Sequence, residues 1–218
     1  KKKIDVNNIF SNNRLGLNDT FEAGRSLTVG LDYKKDKLSD LNKINKYFEF
    51  KLATVLRDRE ENFIPQKSTI NKKSSNIFGS ASSNFLDTLD FNYNFALDND
   101  FNTFEYNEFN TTINFGNLIA KLNFIEESGE MGNSNVIENS VGYKIDNNNS
   151  LSFKTRRNRK LNLTEYYDLV YEYKNDCLTA GIKYKKSYYE DRDLKPTENL
   201  LFTITLYPLT TFEQKMDQ

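Results

Sequence analysis

The sequence of 218 residues contains no histidine and no tryptophan, and it has only one cysteine, three prolines and nine glycines. The lack of histidine excludes His-based catalytic triads and removes both a common general base and the commonest metal ligand. A single cysteine cannot form a disulfide within the chain. No glycine-rich phosphate loop occurs, and the acidic runs at 58–61 and 190–193 stand beside Lys and Arg, as solvated loops do. We therefore expect no enzyme, no cofactor and no metal site.

Long apolar runs and an excess of one charge are also missing. No apolar stretch approaches the roughly 18 residues of a transmembrane helix. A transmembrane β-barrel is not excluded, because half of each barrel strand is polar. The 30 basic residues balance 31 acidic ones, so no nucleic-acid partner is indicated. Residues 1–5 lack the apolar core of a signal peptide. We expect either a protein that stays in the cytoplasm or an internal piece of a longer precursor.

What the sequence does contain is alternation of apolar and polar residues, most clearly between 163 and 208. Two alternating runs flank Asn175-Asp176, with Cys177 at the tip, and a third run follows. Side chains on a strand point to opposite faces with period two, so the first two runs indicate an antiparallel hairpin. The third run places four apolar residues on one face: Leu200, Phe202, Ile204 and Leu206.

The same pattern extends over the whole chain. It predicts strands at about 22–34, 46–57, 76–84, 88–97, 104–115, 117–127, 135–145 and 150–157, followed by three within 163–208. The fourth strand alternates most cleanly. Its apolar face carries Leu89, Phe91, Tyr93, Phe95 and Leu97. The predicted fold is all-β, an antiparallel meander of about eleven long strands.

The connections between the predicted strands alternate in length. Those after strands three, five, seven and nine are short, whereas those after strands two, four, six, eight and ten are longer and more charged; the join at 34–45 breaks the pattern. Transmembrane barrels have short periplasmic turns and longer external loops, and they need strands of about 9–11 residues. A soluble β-sandwich is the alternative, because it also alternates.

The meander is therefore predicted to form part of a transmembrane β-barrel. The apolar residues named in strands four and eleven are expected to face lipid. The lumen is expected to be lined by the residues between them, including Asp90, Asn92, Asn94, Thr203 and Thr205. The polar segment 58–75 becomes an extracellular loop, whose Lys67, Lys72 and Lys73 either are merely solvated or contact lipopolysaccharide phosphates.

Several short motifs resemble those of one bacterial family. The first consists of Asn8, Phe10, Arg14, Gly16, Asp19, Glu22, Gly24 and Arg25; the others are the run 75–80 (Ser-Asn-Ile-Phe-Gly-Ser), the run 171–177 that ends at Cys177, and 206–209 near the end. Together they resemble the C-terminal barrel region of the lipopolysaccharide-assembly outer-membrane protein, the LptD (OstA) family. Three positions depart from that family's pattern: Thr20 replaces its Arg, Leu178 its second Cys, and Thr210 its Gly.

The resemblance implies a location in the outer membrane and a function in inserting lipopolysaccharide into the outer leaflet. Residues 1–218 would be the C-terminal portion of a larger barrel, without its N-terminal jelly roll and first strands. The implied partners are lipopolysaccharide, an LptE-like plug lipoprotein, and an LptA-like periplasmic bridge that contacts the jelly roll. Cys177 would form an interdomain disulfide with a cysteine in or near the jelly roll, or else stay reduced as a half-buried strand residue.

Two other functions would share the strand and loop pattern. A general diffusion porin or another outer-membrane substrate channel is one, and a soluble β-rich binding module is the other. The thiol at Cys177 and the motif from Arg14 to Arg25 favour lipopolysaccharide assembly.

Overall fold

A computed structural model describes residues 3–16, 22–38, 44–86, 88–188, 196–206 and 210–217. Within these ranges the chain forms twelve strands and one short 3-10 helix, Gln66–Ser68. The strands are β1 (Ser26–Leu38), β2 (Ile44–Arg57), β3 (Ile77–Leu86), β4 (Leu89–Leu97), β5 (Phe104–Phe115), β6 (Leu118–Glu127), β7 (Ser134–Lys144), β8 (Asn149–Asn158), β9 (Leu163–Lys174), β10 (Leu178–Ser187), β11 (Thr197–Leu206) and β12 (Thr210–Asp217).

The strands lie in one sheet in the order in which they occur along the chain. Neighbours pair antiparallel, as in β1–β2, β7–β8 and β10–β11. The prediction of an all-β antiparallel meander is confirmed. A twelfth strand, β12, was not predicted; it pairs with β11 over Thr210–Asp217. Residues 22–25, predicted as strand, precede β1.

The connections between strands largely alternate in length, but the even-numbered connection 159–162 is no longer than the odd-numbered 145–148. The first, third and later odd-numbered connections occupy 39–43, 87–88, 116–117, 145–148, 175–177 and 207–209. The even-numbered ones occupy 58–76, 98–103, 128–133, 159–162 and 188–196. The long join expected at 34–45 is wrong, because β1 continues through its charged residues to Leu38 and β2 begins at Ile44. The connection 159–162 is shorter than predicted because β9 begins at Leu163.

The chain divides into two compact units. Unit 1 comprises residues 1–110 and 124–134, and unit 2 comprises 111–123 and 135–218. Unit 1 contains the hydrophobic core of the described residues, and three sources contribute to it: the N-terminal segment (residues 3–16), the long loop (residues 58–76) and one face of the neighbouring strands. The core residues are Ile4, Val6, Ile9, Ala53, Val55, Ile64, Ile70, Phe78, Ala96 and Met131.

The long loop is not the merely solvated loop that its polarity suggested. Ile64 and Ile70 are buried, and so are Ser68 and Thr69 beside the 3-10 helix. Burial of an isoleucine side chain contributes about 1.5–3 kcal/mol, which offsets part of the entropy lost in ordering the loop. Lys67 and Lys73 remain exposed. Lys72 instead forms an ion pair with Glu130 at 3.0 Å.

Strands β1 to β4 have two chemically different faces. On the first face, which we call the apolar face, β1 places Leu27, Val29, Leu31 and Tyr33 in register with Leu56, Thr54, Leu52 and Phe50 of β2. The N-terminal segment and the long loop pack on the opposite side, where Ala53 pairs with Phe78 and Phe78 pairs with Ala96. We call this side the polar face because, beside the apolar residues that these segments cover, it carries polar residues such as Asp32, Lys51 and Asn94. Small residues on β2 and β4 leave room there for the segments that pack on them.

Unit 2, taken by itself, also has two chemically different faces. One row of apolar residues crosses β7 to β11 in register: Tyr143, Leu151, Tyr171, Ile182 and Phe202. The turns of unit 2 are held by short polar side chains. The Asn175 side chain accepts hydrogen bonds from the Cys177 and Leu178 backbone amides at 3.0 and 2.8 Å. Asp146 accepts the amides of Asn148 and Asn149 at 2.8 Å each, and these bonds lower the pKa of its carboxyl group.

Candidate functional site

Unit 1 contains a largely buried cluster of two arginines and one glutamate, which we call the arginine cluster: Arg14, Glu22 and Arg57. Both guanidinium groups donate hydrogen bonds to the Glu22 carboxylate. The side chains of Arg57 and Arg14 are 0% and 6% exposed, and that of Glu22 is 17% exposed. The cluster therefore joins the N-terminal segment, the residues before β1 and the end of β2.

The arginines use their remaining donors on backbone and hydroxyl oxygens. Arg57 Nε donates to the Ile70 carbonyl at 2.5 Å, and Arg57 Nη1 donates to the Ala23 carbonyl at 2.8 Å. Arg14 Nη1 donates to the Ile9 carbonyl at 3.1 Å and to Thr28 Oγ1 at 2.8 Å. Guanidinium groups suit such a site because they present five donors in a fixed geometry. Arg57 thus fastens the long loop to β2, and Arg14 fastens the N-terminal segment to β1.

The Glu22 carboxylate stays ionised in this setting. Its partial burial would raise its pKa, but hydrogen bonds and positive charge, first from Arg14 and then from Arg57, outweigh that effect and hold the pKa below its ordinary value. Asp58 also has a lowered pKa, caused first by its hydrogen bond from Arg25. That pair is a surface contact, because the Arg25 side chain is 90% exposed.

The structure brings two residues of the first family-like motif, Arg14 and Glu22, into direct contact. Arg14 and Glu22 form the arginine cluster, and buried Asn8 donates from Nδ2 to the Lys3 carbonyl at 2.7 Å. Gly16 and Gly24 have positive φ angles of 62° and 79°, a conformation that glycine adopts without strain. Phe10 is exposed over β1 and Arg25 lies at the surface. Asp19 lies outside the described residues.

Sequence reasoning missed one member of the cluster, Arg57. Arg57 is a charged residue at the end of an alternating strand, just before the long loop, and its sequence neighbours do not indicate that its side chain is buried. A signal exists in hindsight: Arg57 follows Ala53 and Val55 at period two on the face that the N-terminal segment covers. Its partners at positions 22, 23 and 70 are distant in sequence, so the pairing could not be predicted from a local pattern.

The second motif, residues 75–80, is buried almost throughout. Ser75 Oγ accepts the Val55 amide at 2.9 Å, and Asn76 Nδ2 donates to Glu105 Oε2 at 2.7 Å. Gly79 lies under the Phe95 ring, where any Cβ atom would collide with that ring. The motif therefore fixes the end of the long loop and the start of β3.

The residues predicted to face lipid share the apolar face of their strands. In β4, all five are half-buried: Leu89, Phe91, Tyr93, Phe95 and Leu97. In β11, Leu200 is half-buried, while Phe202, Ile204 and Leu206 are exposed. The opposite side of β4 carries Asp90, Asn92 and Asn94, and Asn94 Nδ2 donates to Glu108 Oε2 at 3.0 Å. Thr203 and Thr205 lie on the opposite side of β11.

The polar face of unit 2 carries charges in pairs. Lys183 and Asp168 approach to 3.3 Å across β9 and β10, and Arg156 lies 2.7 Å from Glu165 and 3.8 Å from Glu138. The two faces of unit 2 therefore differ strongly: one carries apolar side chains and the other carries ion pairs.

The remaining expectations concern the thiol, metals and helices. Cys177 is an exposed free cysteine in the turn 175–177. Across the described ranges, no group of three or more His, Cys, Asp or Glu residues could hold a metal ion. None of the helices in the described part of the chain is long and apolar enough to cross a membrane.

No protein-family profile and no curated protein matches the sequence.

Proposed function

We propose that this chain forms part of an outer-membrane β-barrel that delivers lipopolysaccharide to the outer leaflet. The observation that carries the proposal is the exposed apolar face. In unit 2, the row Tyr143, Leu151, Tyr171, Ile182 and Phe202 crosses five strands, and each side chain is 36–48% exposed. In unit 1, Leu27, Val29, Leu31 and Tyr33 of β1 are 49–62% exposed.

A surface of this kind suits lipid better than water. Apolar patches on water-soluble monomers rarely exceed about 300–600 Å², and burial of apolar surface is favourable by about 25 cal/mol per Å². Strands of 9–14 residues, such as β2 and β4, are long enough to cross the apolar part of a bilayer when tilted. The ion pairs of the polar faces would then lie on the side away from lipid, where water and other charges compensate them.

The assignment to lipopolysaccharide assembly rests on the resemblance of the family-like motifs, two of whose residues, Arg14 and Glu22, belong to the arginine cluster. In this proposal the partners are lipopolysaccharide, an LptE-like plug lipoprotein and an LptA-like bridge. A general diffusion porin is the second candidate, because it would present the same apolar face. The covered polar face of unit 1 favours assembly over diffusion, since buried Ile4, Val6 and Ile9 occupy space that a water-filled pore would need.

The membrane part of the proposal is tested by a matched pair of substitutions in unit 2. Ile182→Arg places a charge in the middle of the apolar face, and Thr203→Arg places it on the polar face of the neighbouring strand. In a bilayer, we expect Ile182→Arg to lower the free energy of unfolding by about 2–4 kcal/mol and Thr203→Arg to have little effect. Urea unfolding in lipid vesicles measures both. If Ile182→Arg has no effect, the apolar face does not contact lipid.

The assembly part needs a separate test in cells depleted of the protein. Loss of surface lipopolysaccharide with no loss of small-solute permeability supports assembly. The reverse result supports a diffusion channel.

A further inference from the structure

A cavity of about 260 Å³ opens between the N-terminal segment and the hairpin of β1 and β2, within unit 1. Phe10 and Asn7 line it from the N-terminal segment, and Gly30, Asp32 and Lys51 line it from the two strands. The arginine cluster lies outside it. The cavity thus combines one aromatic ring with three polar side chains of different chemistry.

Phe10 is held in place although it is 59% exposed. Its ring lies against Gly30, where an added Cβ would come within 2.6 Å of the ring and 2.8 Å of the Leu52 carbonyl oxygen. Glycine at position 30 therefore leaves the space that the Phe10 ring occupies, and a residue with a Cβ would not. One side of the ring is fixed by the strand, while the rest of the ring remains open to the cavity.

The polar rim of the cavity carries balanced charges. Asp32 is directly opposite Lys51 in the register of β1 and β2. Lys34 lies 3.2 Å from Asp32 and 3.4 Å from Glu49, and Lys51 lies 3.2 Å from Glu49. Asp32 and Lys51 line the cavity with opposite charges, and Lys34 and Glu49 balance each other beside it, so the rim offers hydrogen-bond donors and acceptors without a net field. An anionic phosphate gains nothing from such a rim.

We infer that this cavity is a binding subsite for a neutral pyranose sugar, with Phe10 as the stacking platform and Asn7, Asp32 and Lys51 as hydroxyl partners. The negative face of an aromatic ring attracts the partly positive C–H groups of a sugar ring. Carboxylate and amide oxygens accept hydrogen bonds from sugar hydroxyls, and ammonium groups donate to them. The inference rests on the proposed function only for the source of the sugar, which would be the glycan of lipopolysaccharide.

The test exploits the absence of tryptophan from the chain. Phe10→Trp adds a fluorescent ring at the platform, and Phe63→Trp adds one on the long loop, where Phe63 is 92% exposed and outside the cavity. Each purified protein, in detergent, is titrated with dephosphorylated core oligosaccharide freed of lipid. Inorganic phosphate and intact lipopolysaccharide are titrated in parallel.

We expect a saturable change in emission for Phe10→Trp with the oligosaccharide, a similar one with intact lipopolysaccharide, and none with phosphate. Adding Asp32→Ala should weaken the binding by about tenfold or more, the loss expected for one hydrogen bond to a charged group. The inference is overturned by an unsaturable response, by an equal response of Phe63→Trp, or by an equal response to phosphate.

A calorimetric titration of the unsubstituted protein covers the case in which Phe10→Trp does not fold. Oligosaccharide binding that is lost in Phe10→Leu supports the subsite, and the absence of binding heat at all temperatures overturns it. The result is separable from the membrane test. If the protein binds the sugar but Ile182→Arg does not destabilise it in a bilayer, the sugar subsite is supported and the proposed barrel is refuted.

Discussion

The arginine cluster allows a sharp prediction about what holds the N-terminal segment on the sheet. Glu22→Gln keeps the size of the side chain and one acceptor oxygen but removes the negative charge between two guanidinium groups. Removing one partner of a buried ion pair typically costs about 3–5 kcal/mol. Arg57 retains the Ile70 and Ala23 carbonyls, so we expect the lower end of that range, about 3 kcal/mol.

The matched control is the exposed pair in the same unit. Arg25→Gln removes a charge from the pair with Asp58, which solvent already screens. We expect little or no change in stability from that substitution. The comparison therefore separates burial from the mere presence of an arginine–carboxylate contact.

Two measurements are needed, because the N-terminal segment could detach without global unfolding. Urea unfolding gives the global free energy, and hydrogen exchange followed by mass spectrometry reports local opening of residues 3–16. For Glu22→Gln, we expect faster exchange over this segment, including Ile9, than for Arg25→Gln. Equal exchange and equal unfolding free energies for the two variants would refute the view that the cluster fastens the segment.

Three further predictions concern the titration of Glu22, the packing at Gly79 and the state of the Cys177 thiol. Because the pKa of Glu22 is lowered, the stability that its carboxylate contributes is complete above its ordinary pKa of 4.5 and is lost as pH falls through the lower folded value. The free energy of unfolding of Glu22→Gln should therefore fall less steeply with decreasing pH than that of the unsubstituted protein. Parallel curves would contradict this. Gly79→Ala places a Cβ against the Phe95 ring and should lower the free energy of unfolding, measured by urea titration, by about 1–3 kcal/mol. Gly142→Ala is the control and should lower it much less, because the nearest atom to its Cβ would be the Ile119 carbonyl oxygen at 4.0 Å. Equal losses would show that the Phe95 ring moves aside. If exposed Cys177 forms the interdomain disulfide, its thiol in the mature full-length protein should not be labelled until reductant is added. Full labelling without reductant would show that the thiol stays free, and Cys177→Ser, which should not be labelled, is the control.

The strands could be predicted because their signal is local. Alternation places Phe91, Tyr93 and Phe95 on one face whatever the rest of the chain does. The end of β1 was missed because its run of lysines and acids resembles a loop. In the structure, Lys34 forms ion pairs with Asp32 on the same strand and with Glu49 across the hairpin, so charge there is compatible with a strand. β12 was missed because its sequence alternates poorly.

The covered part of unit 1 could not be predicted, because it depends on contacts between distant residues. Ile64 and Ile70 are isolated apolar residues in a polar stretch, and no periodicity shows which surface they contact. The first motif drew attention to Arg14 and Glu22 through family resemblance, but its physical role appears only when Arg57 joins them. The cavity beside Phe10 is likewise formed by segments that lie far apart in sequence.

One contact of the N-terminal segment constrains the order in which the chain can fold. Each strand of the meander pairs with the next, so hairpins can form one after another with little loss of loop entropy. Lys3 is different: its ammonium group lies 2.8 Å from Glu127 at the end of β6 and 3.0 Å from the centre of the Tyr106 ring in β5. The beginning of the described chain therefore reaches its final place only after six strands have been made. Until then, the N-terminal segment can pack Ile4, Val6 and Ile9 only on the residues of β2 to β4 and the long loop, and its first described residue, Lys3, has neither of these two partners.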